Sequence, residues 1–152
     1  MMAGLRELLD REETAWAAMW SQVERIPAGE RERDGVVQGW STKDVVWHCA
    51  YWAAFCGEHL EIKRTGSWTD PFAGGSDELW DRENEEIADA SKAMTWADVE
   101  AGTKTARDRA RTALAALDEV DDVAEGWFAD ETYTHYDEHA AHLAAFAASL
   151  GG

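Results

Sequence analysis

The chain has 152 residues, enough for one domain with a real core, and 45% of them are hydrophobic. Its 31 acidic against 14 basic side chains give a formal charge of −17 at pH 7. That balance excludes functions that rest on neutralising phosphate, so neither nucleic acid nor an anionic membrane surface is an expected partner.

The opening stretch "MMAGLRELLDREETAW" has acidic residues where a signal peptide needs an unbroken apolar run. The most apolar window, "VVWHCAYWAAF", is about half a membrane span and contains a histidine. The expectation is a soluble, cytoplasmic protein of one domain covering residues 1–152. A first helix is expected from about Ala3 to Arg25, where Leu5, Leu8, Leu9, Trp16, Met19, Trp20 and Val23 recur near helical spacing. Ile26-Pro27-Ala28-Gly29 stops it, because proline cannot continue the hydrogen-bond ladder. After the charged loop "ERERDGVVQGW", Ser41 and Asp44 of "STKD" form a capping-box pattern that opens a second helix at about residue 42. That helix ends near Lys63-Arg64, cations at its negative end, followed by Thr65-Gly66.

Residues 65–94 are the irregular part: "TGSWTDPFAGGS" is loop by composition, and "DELWDRENEEIADASKAM" makes one or two turns of acidic helix in a connection. "TWAD" caps a third long helix, Trp96 to about Asp118, with Val99, Ala106, Ala110, Leu114 and Leu117 inward. The turn "DEVDDVAEG" leads to the last helix, Asp130 to about Leu150. No strand-type alternation of any length is visible. Four helices of about twenty residues predict an all-α four-helix bundle with a long connection between its second and third helices.

Cys49 and Cys56 lie seven residues apart on the second helix. Their Cα atoms are then about 10.5 Å apart, beyond the ~7 Å reach of a disulfide, so both are expected to be reduced, buried and unreactive. The histidines are more informative. In "THYDEHAAHL", His135, His139 and His142 are spaced four and then three apart, along one helical stripe. Two imidazoles at such spacing can converge on one ion at about 2.0–2.1 Å. His139 can pair with His135 or with His142, whereas His135 and His142, about 10.5 Å apart in rise, do not share an ion. The second helix offers His48 or His59, about 16 Å apart along the axis, so only one of them serves. His48 lies within an apolar stripe with Val45, Cys49 and Trp52. It is either a core histidine bonded to a backbone carbonyl or a metal ligand, and spacing alone does not choose.

"GWSTKDVVWHCAYW" is similar to the segment that opens the second helix of the DinB/YfiT-like superfamily, also carried by the mycothiol-dependent maleylpyruvate isomerases. "THYDEHAAHL" resembles the fourth-helix segment of its DfsB/ClbS-like branch. The resemblance covers essentially the whole chain. It implies a bundle in which one histidine of helix two and an H-x-x-x-H pair of helix four hold a divalent ion, zinc or nickel. Carried over by position, the ligands are His48, His135 and His139, and His59 and His142 become ordinary, partly exposed residues.

Three neutral imidazoles leave such an ion an open position. Two chemistries follow: hydrolysis by metal-activated water, or thiol-dependent transfer or isomerisation by a metal-activated thiol. The resemblance supplies the second, with a low-molecular-weight thiol such as mycothiol as co-substrate. Glu138 and Tyr136 are candidates for proton handling, and Asp44, one turn before His48, for a carboxylate supporting it. Trp40, Trp52 and Trp127 are candidates for an aromatic-walled cleft around a small organic substrate. The alternative is a ClbS-like self-protection protein that binds or disarms a reactive natural product without the histidines. The resemblance also allows a homodimer.

Overall fold

The computed structural model describes residues 4–71 and 73–151, so the expected helix start at Ala3 lies outside the described residues. Six α-helices and one two-stranded hairpin are found among them. The first helix, α1 (Leu5–Arg25), buries Leu8, Ala15, Met19 and Val23 on one stripe. It ends at Ile26, before Pro27, as the sequence leads one to expect. A short 3-10 turn (Ala28–Glu30) then leads into β1 (Asp34–Val37) and β2 (Trp40–Ser41). The two strands pair antiparallel around a turn where Gly39 takes a positive φ of 83°.

This hairpin delivers the chain into α2 (Thr42–Arg64) through the expected capping box: Ser41 Oγ accepts from Asp44 N–H, and the Asp44 carboxylate accepts from Ser41 N–H. Both halves satisfy backbone donors that a helix start otherwise leaves unpaired.

Residues 65–94 depart from the sequence reading. They contain α3 (Asp77–Lys92), a 16-residue helix rather than a turn or two. Ser76 caps it by accepting from Leu79 N–H, and Asp77 and Glu78 suit its positive end. α3 is docked along α2 by polar contacts. Asp44 accepts from Ser91 Oγ at 2.5 Å and from Lys92 Nζ at 2.7 Å. Farther along α2, Tyr51 OH donates to Glu83 at 2.9 Å and Trp52 Nε1 to Asn84 at 2.9 Å. Partners rise along α2 as they fall along α3, so the two helices run antiparallel.

The third long helix, α4 (Trp96–Ala115), starts at the Thr95 cap and ends three residues before the expected Asp118. The stretch expected to lead directly into the last helix instead forms α5 (Asp122–Glu131), capped by Asp121. The backbone breaks at Thr132 (φ −118°, ψ −93°), and α6 (Tyr133–Gly151) follows.

The four long helices touch in a closed order: α2 packs mainly on α4, α1 mainly on α6, and contacts between α2 and α6 and between α1 and α4 complete it. α2 and α4 approach closely at Gly57, where a Cβ would lie 2.9 Å from Arg109 Cγ and 3.1 Å from the Ala110 backbone nitrogen. Between α1 and α4 lies a buried charge cluster. Glu12, 0% exposed, takes a fork from Arg107 at 2.7 and 2.8 Å and a bond from Arg111 at 2.8 Å. Trp16, Trp20 and Trp96 stack beside it, with Arg107 and Arg31 over the outer rings. No helix among the described residues is long and apolar enough to cross a membrane.

Candidate metal centre

Two helices bring three histidines together. His48 sits in the second turn of α2, 4% exposed, with the Trp40 ring against it at a centroid distance of 5.0 Å. His135 and His139 lie on successive turns of α6, facing it. Ring centroids are 4.9 Å apart for His48–His135, 5.1 Å for His48–His139 and 5.7 Å for His135–His139. One nitrogen from each ring falls within 4.8 Å of the other two, so the three are close enough to hold a metal ion. Tetrahedral coordination at 2.0–2.1 Å sets ligand nitrogens about 3.3 Å apart, a separation that rings within 4.8 Å reach by small side-chain adjustments.

The bonding of these rings argues against an ordinary core histidine. His48 Nδ1 and His135 Nδ1 are sealed from solvent and have no hydrogen-bond partner. A buried polar atom left unpaired costs about 1–3 kcal/mol, and two in one cluster are not incidental. All three rings are held neutral, the form that binds metal. Burial, then the neighbouring His135 and His139, takes the His48 pKa down to about 2. Burial, then His139, takes His135 to about 4, against an opposing pull from Glu138. Burial, then His142, takes His139 to about 4. Neutral imidazoles, two of them with an unpaired nitrogen, are a donor set that suits zinc and nickel.

His142 is not the bystander expected. Its Nδ1 lies 3.2 Å from His139 Nδ1, so one ring donates and the other accepts, and Nε2 of His139 is left for an ion. His59 agrees with the expectation: it packs against Phe55 and Trp127, outside the cluster.

The supporting residues divide. Asp44 does not serve His48. Its carboxylate is taken by Ser41, Ser91 and Lys92, and although desolvation pushes its pKa up, those bonds outweigh it and hold the group below the usual carboxylate range. Tyr136 turns away from the cluster: it is 1% exposed, edge-on to Trp16 at 5.5 Å, and burial, then Glu12, pushes its pKa well up. Glu138 is exposed and hydrogen-bonds to no described residue. Trp40 packs on His48, with its indole donating to Glu85 at 3.3 Å. Trp52 lines a cavity beside His135, but Trp127 packs at a tilt against Trp68, with ring centroids 5.2 Å apart, and does not. Cys49 and Cys56 are free and buried, and desolvation pushes both thiols far above their usual range.

The cavity that opens on His135 has a volume of about 200 Å³ and is walled by Trp52, Trp80, Asn84 and Glu131. Two of these, Trp80 and Asn84, come from α3. Glu131, at the end of α5, was missed in the sequence. Its Oε2 is buried without a partner, and desolvation, then Asp130, raises its pKa to about 8. The available signal was spacing, since Glu131, His135 and His139 continue one four-residue interval.

Comparison of the chain with protein-family models, with curated proteins and with solved structures found no match.

Proposed function

We propose that the protein is a divalent-metal-dependent enzyme acting on a small organic molecule, built on a DinB-like four-helix bundle of α1, α2, α4 and α6. The observation that carries this reading is the cluster of His48, His135 and His139: three neutral rings within reach of one ion, two of them with buried, unpaired nitrogens. When bound, zinc or nickel supplies an electrophilic centre that activates a water for hydrolysis or a thiol such as mycothiol for transfer or isomerisation. Around it the chain's own groups have separate tasks. Trp40 fixes the His48 ring, and His142 fixes the tautomer of His139. The indoles of Trp52 and Trp80 give the cavity beside His135 an apolar wall for a small organic molecule.

The test supplies zinc or nickel to the protein and to His48→Ala, and offers each 4-nitrophenyl acetate, or 1-chloro-2,4-dinitrobenzene with a thiol. Metal-dependent turnover of either compound that is lost in His48→Ala is the expected result. Equal turnover by both proteins, or none with any metal, rejects the reading and leaves binding without catalysis in its place.

A further inference from the structure

Of the two residues that α3 contributes to the cavity beside His135, Trp80 is the apolar one, and the chain fixes it in three ways. It lies in the first turn of α3, capped by Ser76, where its backbone N–H donates to the Ser76 carbonyl at 3.0 Å. One turn on, on the same face, Asn84 accepts from Trp52 Nε1 at 2.9 Å and ties that face to α2. The indole itself occupies the space that a side chain at position 75 would need. A Cβ on Gly75 would stand 2.5 Å from Trp80 Cζ2 and 2.8 Å from Cε2, so the ring has no room to withdraw toward that stretch of chain.

Trp52 and Trp80 meet at 77°, with ring centroids 5.9 Å apart, and form a corner of two aromatic walls. A single flat ring placed in such a corner stacks on one indole and meets the other edge to face, the two arrangements that aromatic quadrupoles favour. The remaining groups around the cavity, Asn84, Glu131 and His135, are polar. Volume sets the limit. An apolar cavity of about 150 Å³ takes one benzene ring. The cavity of this chain, at about 200 Å³, has about a third more room, which suits a short substituent but not a second ring.

We propose that Trp80 is a specificity-determining residue: it limits the substrate to one flat ring with a short polar substituent, the ring in the Trp52–Trp80 corner and the substituent toward His135. The inference deepens the metalloenzyme reading by naming the shape of its substrate, and rests on it only in calling the bound molecule a substrate.

The experiment follows the Trp52 indole N–H resonance, assigned with Trp52→Phe, as benzyl alcohol, cyclohexylmethanol and 1-naphthalenemethanol are titrated in turn. It is run on metal-free and on zinc-supplied protein. Benzyl alcohol is expected to shift the resonance saturably and to bind about three- to tenfold more tightly than cyclohexylmethanol, the scale of one aromatic contact. It should bind at least about tenfold more tightly than the naphthyl compound, which overfills the cavity. Trp80→Ala should bind the naphthyl compound at least as tightly as benzyl alcohol. Trp80→Phe keeps a smaller aromatic wall, so it should still prefer benzyl alcohol to cyclohexylmethanol while discriminating less by size. No saturable shift with benzyl alcohol, equal binding of cyclohexylmethanol or of the naphthyl compound by wild type, or an unchanged size ranking in both Trp80 variants overturns the proposal. The ranking in metal-free protein reports on the cavity, and the zinc content of the same samples reports on the histidine cluster, so loss of one reading does not imitate loss of the other.

Discussion

At the scale of single residues, the bond between His139 and His142 changes what a histidine scan should find. A partner that fixes a ligand's tautomer and ring orientation is worth about 10–100-fold in metal affinity. His142→Ala should therefore retain one ion per chain but bind it about 10–100-fold more weakly. His59→Ala, whose ring packs on Phe55 and Trp127, should bind as wild type. Competition with a chromophoric chelator reads both. Glu131 supplies a second residue-level test, through stability. In the folded chain it keeps its proton up to about pH 8, against an ordinary value of 4.5. Between those limits the folded state holds a proton that the unfolded state has released, so this group's contribution to stability is lost as pH rises. Glu131→Gln removes the titration. The Tm of wild type should accordingly fall relative to Glu131→Gln as pH is raised from about 5 to about 8, and parallel Tm profiles would show that the carboxyl is already ionised. The three depressed histidines act in the opposite sense, since stability held above their unfolded value is lost as pH falls from about 6.5 toward 4.

At the scale of elements, α2 and α4 are set by a close approach and α3 by polar docking. Gly57→Ala drives a methyl into Arg109 and the Ala110 backbone, and should cost about 1–3 kcal/mol in denaturant unfolding with an unchanged m-value. Asp44→Asn removes the ion pair with Lys92, whose exposed end limits its worth, and weakens the bond to Ser91. Hydrogen exchange should then rise along α3 (Asp77–Lys92) before it rises in α4. Three of the four long helices were legible from apolar residues at helical spacing together with caps at Ser41 and Thr95 or the stop at Pro27, whereas the last was expected from Asp130 because no cap or proline marks the break at Thr132 that starts α6 at Tyr133. α3 was not legible as a docked helix. Its inward stripe of Trp80, Asn84, Ile87, Ala88 and Ser91 carries only two strong apolar residues, and its docking depends on hydrogen bonds to α2 that no periodicity reports. For the same reason Trp80 and Asn84 could not be assigned to the site. The cluster of His48, His135 and His139 was legible by spacing and resemblance, whereas the bond of His142 to His139 depends on rotamers. The hairpin escaped notice because its strands have only four and two residues.

At the scale of the whole molecule, the three neutral histidines are the feature that the rest of the fold sets up. The capping box positions His48, α6 presents His135 and His139, and α3 closes the cavity beside them. An ion that binds only the folded chain stabilises it by mass action, by about 2.7 kcal/mol at a free concentration one hundred times Kd. Zinc should therefore raise the Tm of wild type and leave that of the ligand variants in place. The most direct measurement is the zinc stoichiometry of the purified protein and its five single His→Ala variants, by elemental analysis after dialysis against a weak chelator. One ion per chain in wild type and His59→Ala, reduced retention in His142→Ala, and loss in His48→Ala, His135→Ala and His139→Ala is the predicted result. The same metal content in all six proteins would contradict it.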